Sequence, residues 1–106
     1  MTNRVNWAVT DFTSLDISSS AVTLLGDGSV TSMPAGTKSF QGHLETADIR
    51  VRKDGSNASA TVGQLVLKDS MITLSESEIR QATFMRDAST DAKLQGHFYS
   101  CEASAL

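Results

Sequence analysis

Covalent reinforcement is missing from this chain. Its one cysteine, Cys101, excludes an internal disulfide and any site built from several thiolates. No adjacent cation or paired histidine activates that thiol, so it reads as a small apolar filler or an end-of-strand residue. Positive charge is also scarce: nine Lys and Arg against twelve Asp and Glu leave a net charge of −3. Nucleic acid is therefore not an expected partner, because such binding relies on clustered cations that release counterions. Long apolar runs are absent too. Ala21–Leu25 and Leu65–Leu67 fall far below the ~20 residues a membrane-crossing helix needs. Met1–Trp7 lacks the roughly 7–15 residue apolar core of a secretion signal, so synthesis and folding in a cytosol are expected, with no membrane partner. One tryptophan and one tyrosine leave little from which to build an aromatic platform for sugars.

What is present describes a folded domain with a sheet-friendly surface. A length of 106 residues suits one domain, residues 1–106, with a single hydrophobic core. Hydrophobic residues at 40% and charged residues at 20% are ordinary globular usage, with no block of like charge to mark a disordered tail. Fifteen serines, eleven threonines and a single proline favour strands and turns, since Thr suits exposed β positions and Ser suits turns.

The two-residue period recurs along the chain. Val5, Trp7 and Val9 alternate with Asn6, Ala8 and Thr10, which predicts an amino-terminal strand with one apolar face. Ala21–Leu25 is a second apolar run, closed by Gly26-Asp27-Gly28, where either glycine can take positive φ. Val30–Gly36 reads as a connection containing Pro34. Lys38–Leu44 reads as a strand whose Gly42 marks a bulge or a close contact. Ile49 and Val51 face a core while Arg50 and Arg52 face water, and Asp54-Gly55 begins a polar loop that runs to Thr61.

Val62–Leu67 and Met71–Leu74 are separated by Lys68-Asp69-Ser70, the spacing of a hairpin or a tight corner. Ser75 with Glu78 is a capping pattern that predicts about one helical turn over Ser75–Ile79, the only helix expected. Gln81–Arg86 follows as a strand. In the closing segment Ala92, Leu94, Gly96 and Phe98 share one face, opposite Lys93, Gln95, His97 and Tyr99. About eight short strands separated by turns predict an all-β, antiparallel β-sandwich, with a jelly-roll-like arrangement or a small barrel as the alternatives.

No constellation for catalysis stands out. His43 and His97 both fall on polar strand faces, and neither they nor Asp87 and Asp91 show metal-ligand spacing. The serines include no G-x-S-x-G elbow. Gly26–Gly28 and Asp54–Asn57 carry oxygen ligands but no twelve-residue calcium loop with its closing Glu. An enzyme is not expected, and no cofactor or metal is implied. Trp7, Arg50 and Arg52 are instead the candidates for a protein interface. Arg presents a fixed fork of donors to carboxylates, and Trp covers a large apolar area. A solvated strand face is the simpler account of the two arginines, and a core position that of Trp7.

The run Ile49-Arg-Val-Arg52, Asp54-Gly55 and Thr61-Val-Gly63, then Ala82-Thr-Phe-Met-Arg86, Ala92-Lys-Leu94 and Phe98-Tyr99, extends a wider likeness from about Gly36 to Tyr99. In that order these residues resemble small β-sandwich virion proteins of tailed bacteriophages, encoded among head and tail genes. Lys53 stands where those proteins commonly carry a second Asp or Glu, and Glu76 with Glu78 replaces a more apolar or Gly-rich corner. The resemblance implies a structural component of the particle, foremost a head decoration or cement protein. Such a protein would sit on the outer capsid surface of the virion, bind the major capsid protein and self-associate as a homotrimer, after synthesis in the host cytoplasm. A tail- or baseplate-associated β module for attachment or host-surface contact is the second reading. A carbohydrate-binding sandwich is the third.

Overall fold

Eight strands and three short helical segments make up the computed structural model, which describes residues 8–106. Strand β1 (Val9–Ile17), β8 (Ala92–Tyr99), β3 (Ser39–Glu45) and β6 (Met71–Ser75) form one antiparallel sheet in that spatial order. Strand β2 (Val22–Thr23), β7 (Thr83–Arg86), β4 (Ile49–Arg52) and β5 (Gln64–Val66) form a second. The fold is all-β in this sense, and buried residues from both sheets join one hydrophobic cluster.

The clearest period-two segments fold as their alternation dictates. Along β8, Ala92, Leu94, Gly96 and Phe98 are buried while the intervening residues reach solvent, and Ile49 and Val51 are buried on β4. Between β3 and β8 the register sets Phe40 opposite Phe98 and Gly42 opposite Gly96. The two phenylalanine rings meet with centroids 5.2 Å apart. A Cβ on Gly42 would come within 2.7 Å of the Phe40 ring, and one on Gly96 within 2.2 Å of the Gln41 carbonyl oxygen. Gly42 is thus a close contact and not a bulge.

The bulge lies elsewhere. Val9 pairs with Tyr99 but Asp11 pairs with Phe98, so one extra residue is inserted between them. A one-residue insertion exchanges the two faces of a strand. Thr13, Leu15 and Ile17 are consequently buried while Val9, two turns of the pleat upstream, is 52% exposed. This corrects the expectation that Val9 belongs to a core-facing stripe. Val5 and Trp7 lie outside the described residues.

Three other segments take on detail that the sequence leaves open. Ala21–Leu25 is not one strand, because Thr23 ends β2 by capping a helical turn, α1 (Leu24–Asp27): its hydroxyl accepts the Gly26 N–H at 3.0 Å. Neither neighbouring glycine takes positive φ. Gly28, at φ −77°, is required by crowding, since its N–H meets the Leu24 carbonyl and a Cβ would lie 2.3 Å from that same oxygen. Lys68–Ser70 is the corner and not a hairpin, carrying the chain from β5 in one sheet to β6 in the other. Asp69 adopts φ 68° there and donates its N–H to the Leu44 carbonyl at 2.7 Å, while the Leu44 N–H reaches Ser70.

The capping box at Ser75 and Glu78 is present and opens α2 (Glu76–Gln81), which is longer than one turn. It takes Gln81 into the helix and leaves β7 to begin at Thr83. With α1 and a 3-10 turn at Ala103–Ala105, the helical content exceeds the single turn expected. Cys101 is buried, and its carbonyl accepts the Ser39 hydroxyl at 2.6 Å.

The glycines make a discriminating test. Gly96→Ala forces a methyl into backbone and should lower urea-unfolding stability by about 3 kcal/mol. Gly36→Ala has nothing within 4 Å of its new methyl and should cost only about 1 kcal/mol for its left-handed backbone.

Candidate functional site

Strand β4 carries both arginine candidates on its outer face, one pleat repeat apart. Arg50 lies between Leu65 of β5 and Met85 of β7 in register. Its Nε donates to Asp87 Oδ1 at 2.8 Å and its Nη1 to the Gly63 carbonyl at 3.3 Å. The side chains of Arg50 and Asp87 are only 25% and 28% exposed, so this ion pair is largely sheltered. Gly63 adopts φ 133°, and a Cβ there would lie 3.1 Å from the Val51 carbonyl oxygen. Arg50 therefore ties β4 to the segment after β7 and to the entry of β5.

Arg52 turns to the loop that follows its own strand. Its Nε donates to Asp54 Oδ1 at 3.1 Å and its Nη2 donates to Oδ2. These hydrogen bonds, with a further one from the Ser56 N–H, hold the Asp54 carboxyl below the usual carboxylate range, and the same partner raises the Arg52 guanidinium. The loop then folds back over β7: Thr83 Oγ1 donates to the Ser56 carbonyl at 2.8 Å and accepts the Ala58 N–H at 2.9 Å. Both guanidinia thus already have an intramolecular carboxylate. Trp7, the third interface candidate, lies outside the described residues.

The histidines occupy the outer face of the other sheet, as their strand positions imply. His97 faces Gln41 and Phe12 across its neighbouring strands, and His43 faces Gln95. Phe12 meets His97 edge-on with centroids 5.1 Å apart, and Tyr99 follows along the strand at 6.3 Å from His97. His43 lies 3.9 Å from both Glu45 and Asp69. The acids near His97 in sequence are engaged elsewhere, Asp87 by Arg50 and Asp91 by Arg86. Among the described residues, no group of three His, Cys, Asp or Glu is arranged to hold a metal, and no cavity opens.

A different feature emerges from burial. Of the large apolar side chains left exposed, Val62, Leu65, Leu67 and Met71 are 44–56% exposed and fall within one ten-residue stretch. That stretch contains β5 and the start of β6, one edge strand from each sheet. The two-residue period predicts two strands here but does not reveal their exposure. The signal available was Leu65-Val66-Leu67: on a half-buried strand, three consecutive apolar residues must leave at least one outward. Val9 and Phe12 form a smaller exposed group at the start of β1.

No protein family, no curated protein and no solved structure matches this chain.

The two arginines should separate in their contribution to the fold. Arg50→Ala removes a sheltered, charge-assisted hydrogen bond and strands Asp87, which should cost about 2 kcal/mol. Arg52→Ala, at an open loop, should leave the urea midpoint nearly unchanged. A double-mutant cycle between Arg50 and Asp87 checks the attribution, with a coupling of about 1 kcal/mol expected.

Proposed function

We propose that this chain is a structural protein of a tailed bacteriophage particle, most of all a capsid decoration protein that binds the outer capsid lattice and stabilises it. The observation that carries this reading is the run of exposed apolar side chains, Val62, Leu65, Leu67 and Met71, on either side of the corner at Lys68–Ser70. Large apolar side chains left exposed close together in the chain are candidates for cover in an assembly. The resemblance to virion proteins supplies the kind of assembly, and the mildly acidic, cavity-poor domain suits a clamp that works through repeated shallow contacts. In this reading the two sheets pack face to face as a sandwich. The major capsid protein covers the corner, and the copies gather as a homotrimer.

A carbohydrate-binding role has one observation of its own. Phe12, His97 and Tyr99 form an aromatic row, with Gln41 and Gln95 on the same sheet face. Rings beside amide groups can offer both a stacking surface and hydrogen bonds to a sugar.

Particles lacking the protein, with and without purified protein added back, distinguish the readings. Added protein should raise the rupture temperature of the heads, because a ligand that binds only the assembled lattice stabilises it by mass action. Leu67→Asp with Met71→Asp should abolish that gain while leaving the isolated domain folded. Protein found only in the tail fraction, with head rupture unchanged, would move the assignment to the tail. Retained head stabilisation by the double variant would remove the corner from the docking surface, and binding to a glycan array lost in Phe12→Ala would favour the sugar reading.

A further inference from the structure

The chain contains two Asp-Gly dipeptides, Asp27-Gly28 and Asp54-Gly55, and the fold treats them in opposite ways. An aspartyl residue followed by glycine is chemically vulnerable, because the unhindered glycine nitrogen can reach the aspartate Cγ. At Asp27-Gly28 that route is closed. The Gly28 N–H is committed to the Leu24 carbonyl at 3.1 Å, Asp27 Oδ2 accepts the Thr23 N–H at 2.9 Å, and the space around buried Gly28 is filled by Leu24 O and Thr13 Oγ1.

At Asp54-Gly55 the backbone leaves the route open. The Asp54 side chain is 58% exposed, and Gly55 takes φ +90° with no atom nearer than 3.8 Å to its Cβ position. Among the described residues its N–H donates to no acceptor. Only the carboxylate itself is restrained, by Arg52 Nε and Nη2 and by the Ser56 N–H.

We propose that Asp54-Gly55 is a site of spontaneous isoaspartate formation, and that the Arg52 guanidinium acts as its brake. In the reaction the Gly55 nitrogen bonds to Asp54 Cγ, the amide proton and the carboxyl hydroxyl leave as water, and a succinimide ring closes. Water then adds back at the Asp54 main-chain carbonyl and breaks its bond to nitrogen. The chain now runs through Cγ, with a free α-carboxylate and unchanged mass and net charge. Only the protonated carboxyl has a hydroxyl to lose. A partner that stabilises the ionised form therefore slows ring closure, and acidification towards the carboxylate range speeds it.

The change has a structural consequence. The isomerised link adds one methylene to the main chain just before Ser56 and Ala58, whose carbonyl and N–H clasp Thr83 at 2.8 and 2.9 Å. The loop loses its register on β7, and buried Thr83 is opened to solvent. Arg52 is thereby assigned a protective role within its own loop.

The test is to age the folded protein at neutral pH, digest it with an endoproteinase that cuts before aspartate but not before isoaspartate, and follow the uncut 53–54 and 26–27 bonds by mass spectrometry. Resistance should accumulate at 53–54 and not at 26–27. Arg52→Ala should accelerate it several-fold at 53–54 alone, with Arg52→Lys intermediate. Ageing in urea should bring the two sites together. Equal rates at both sites in the folded protein, or an Arg52→Ala rate equal to wild type, would overturn the proposal. If Arg52→Ala accelerated both sites together, the cause would be general loosening of the fold and the brake would be rejected.

Discussion

The close approach of β3 and β8 is the constraint on which the rest of the structure depends. Gly42 and Gly96 face each other across this central pair, and the space their missing side chains leave is taken by the Phe40 ring and by the backbone of the neighbouring strand. Phe40, Phe98 and Leu94 are then fully buried around that point. A sheet built in this way gains an aromatic cover for positions that glycine would otherwise weaken. Strands β1 and β6 add to either side of a pair whose register is already set by side chains of very different size. Slippage by one residue would place a Cβ where only a hydrogen fits.

How much of this was legible follows from how local each cause is. The alternation of Ala92–Phe98, the capping box at Ser75 and Glu78, and the positive φ at Gly55 each depend on a few adjacent residues, and each is readable without the fold. The inserted residue between Val9 and Asp11 is not. Its effect appears only against β8, where it turns Val9 outward while Leu15 and Ile17 stay inside. Gly28 shows the same limit, since its need for glycine comes from Leu24 O and Thr13 Oγ1, the second supplied by a strand fifteen residues earlier. Asp69 turns the corner between sheets with a backbone held by Leu44, a residue that no local pattern connects to it.

The candidate site divides along the same line. The outward face of Arg50 and Arg52 follows from period two, but their partners do not. Asp87 comes from beyond β7 and converts Arg50 from a surface cation into a tie between distant segments. Asp54 is close enough in sequence to be guessed, yet only the structure shows both of its oxygens engaged. Arginines committed to internal carboxylates have less to offer an acidic partner, because docking would first have to displace a bond already made. The basic face is thus occupied within the chain itself, while apolar side chains elsewhere stay exposed.

The sheet margins point the same way. At β1, the longest edge strand, Ser29 donates its N–H to the Ser14 carbonyl and accepts the Ser14 N–H on its hydroxyl, both at 3.0 Å. The Phe12 N–H is taken by the Asp11 side chain at 2.8 Å, so this edge is closed to an added strand along much of its length. In the other sheet the β5 edge is protected differently, by brevity: β5 has only three residues and its exit is pinned where the Lys68 N–H reaches Asp48. A three-residue edge offers few backbone groups to an incoming strand, but Leu65 and its neighbours Val62, Leu67 and Met71 still face solvent. A partner at this edge would therefore bind side chains more than main chain.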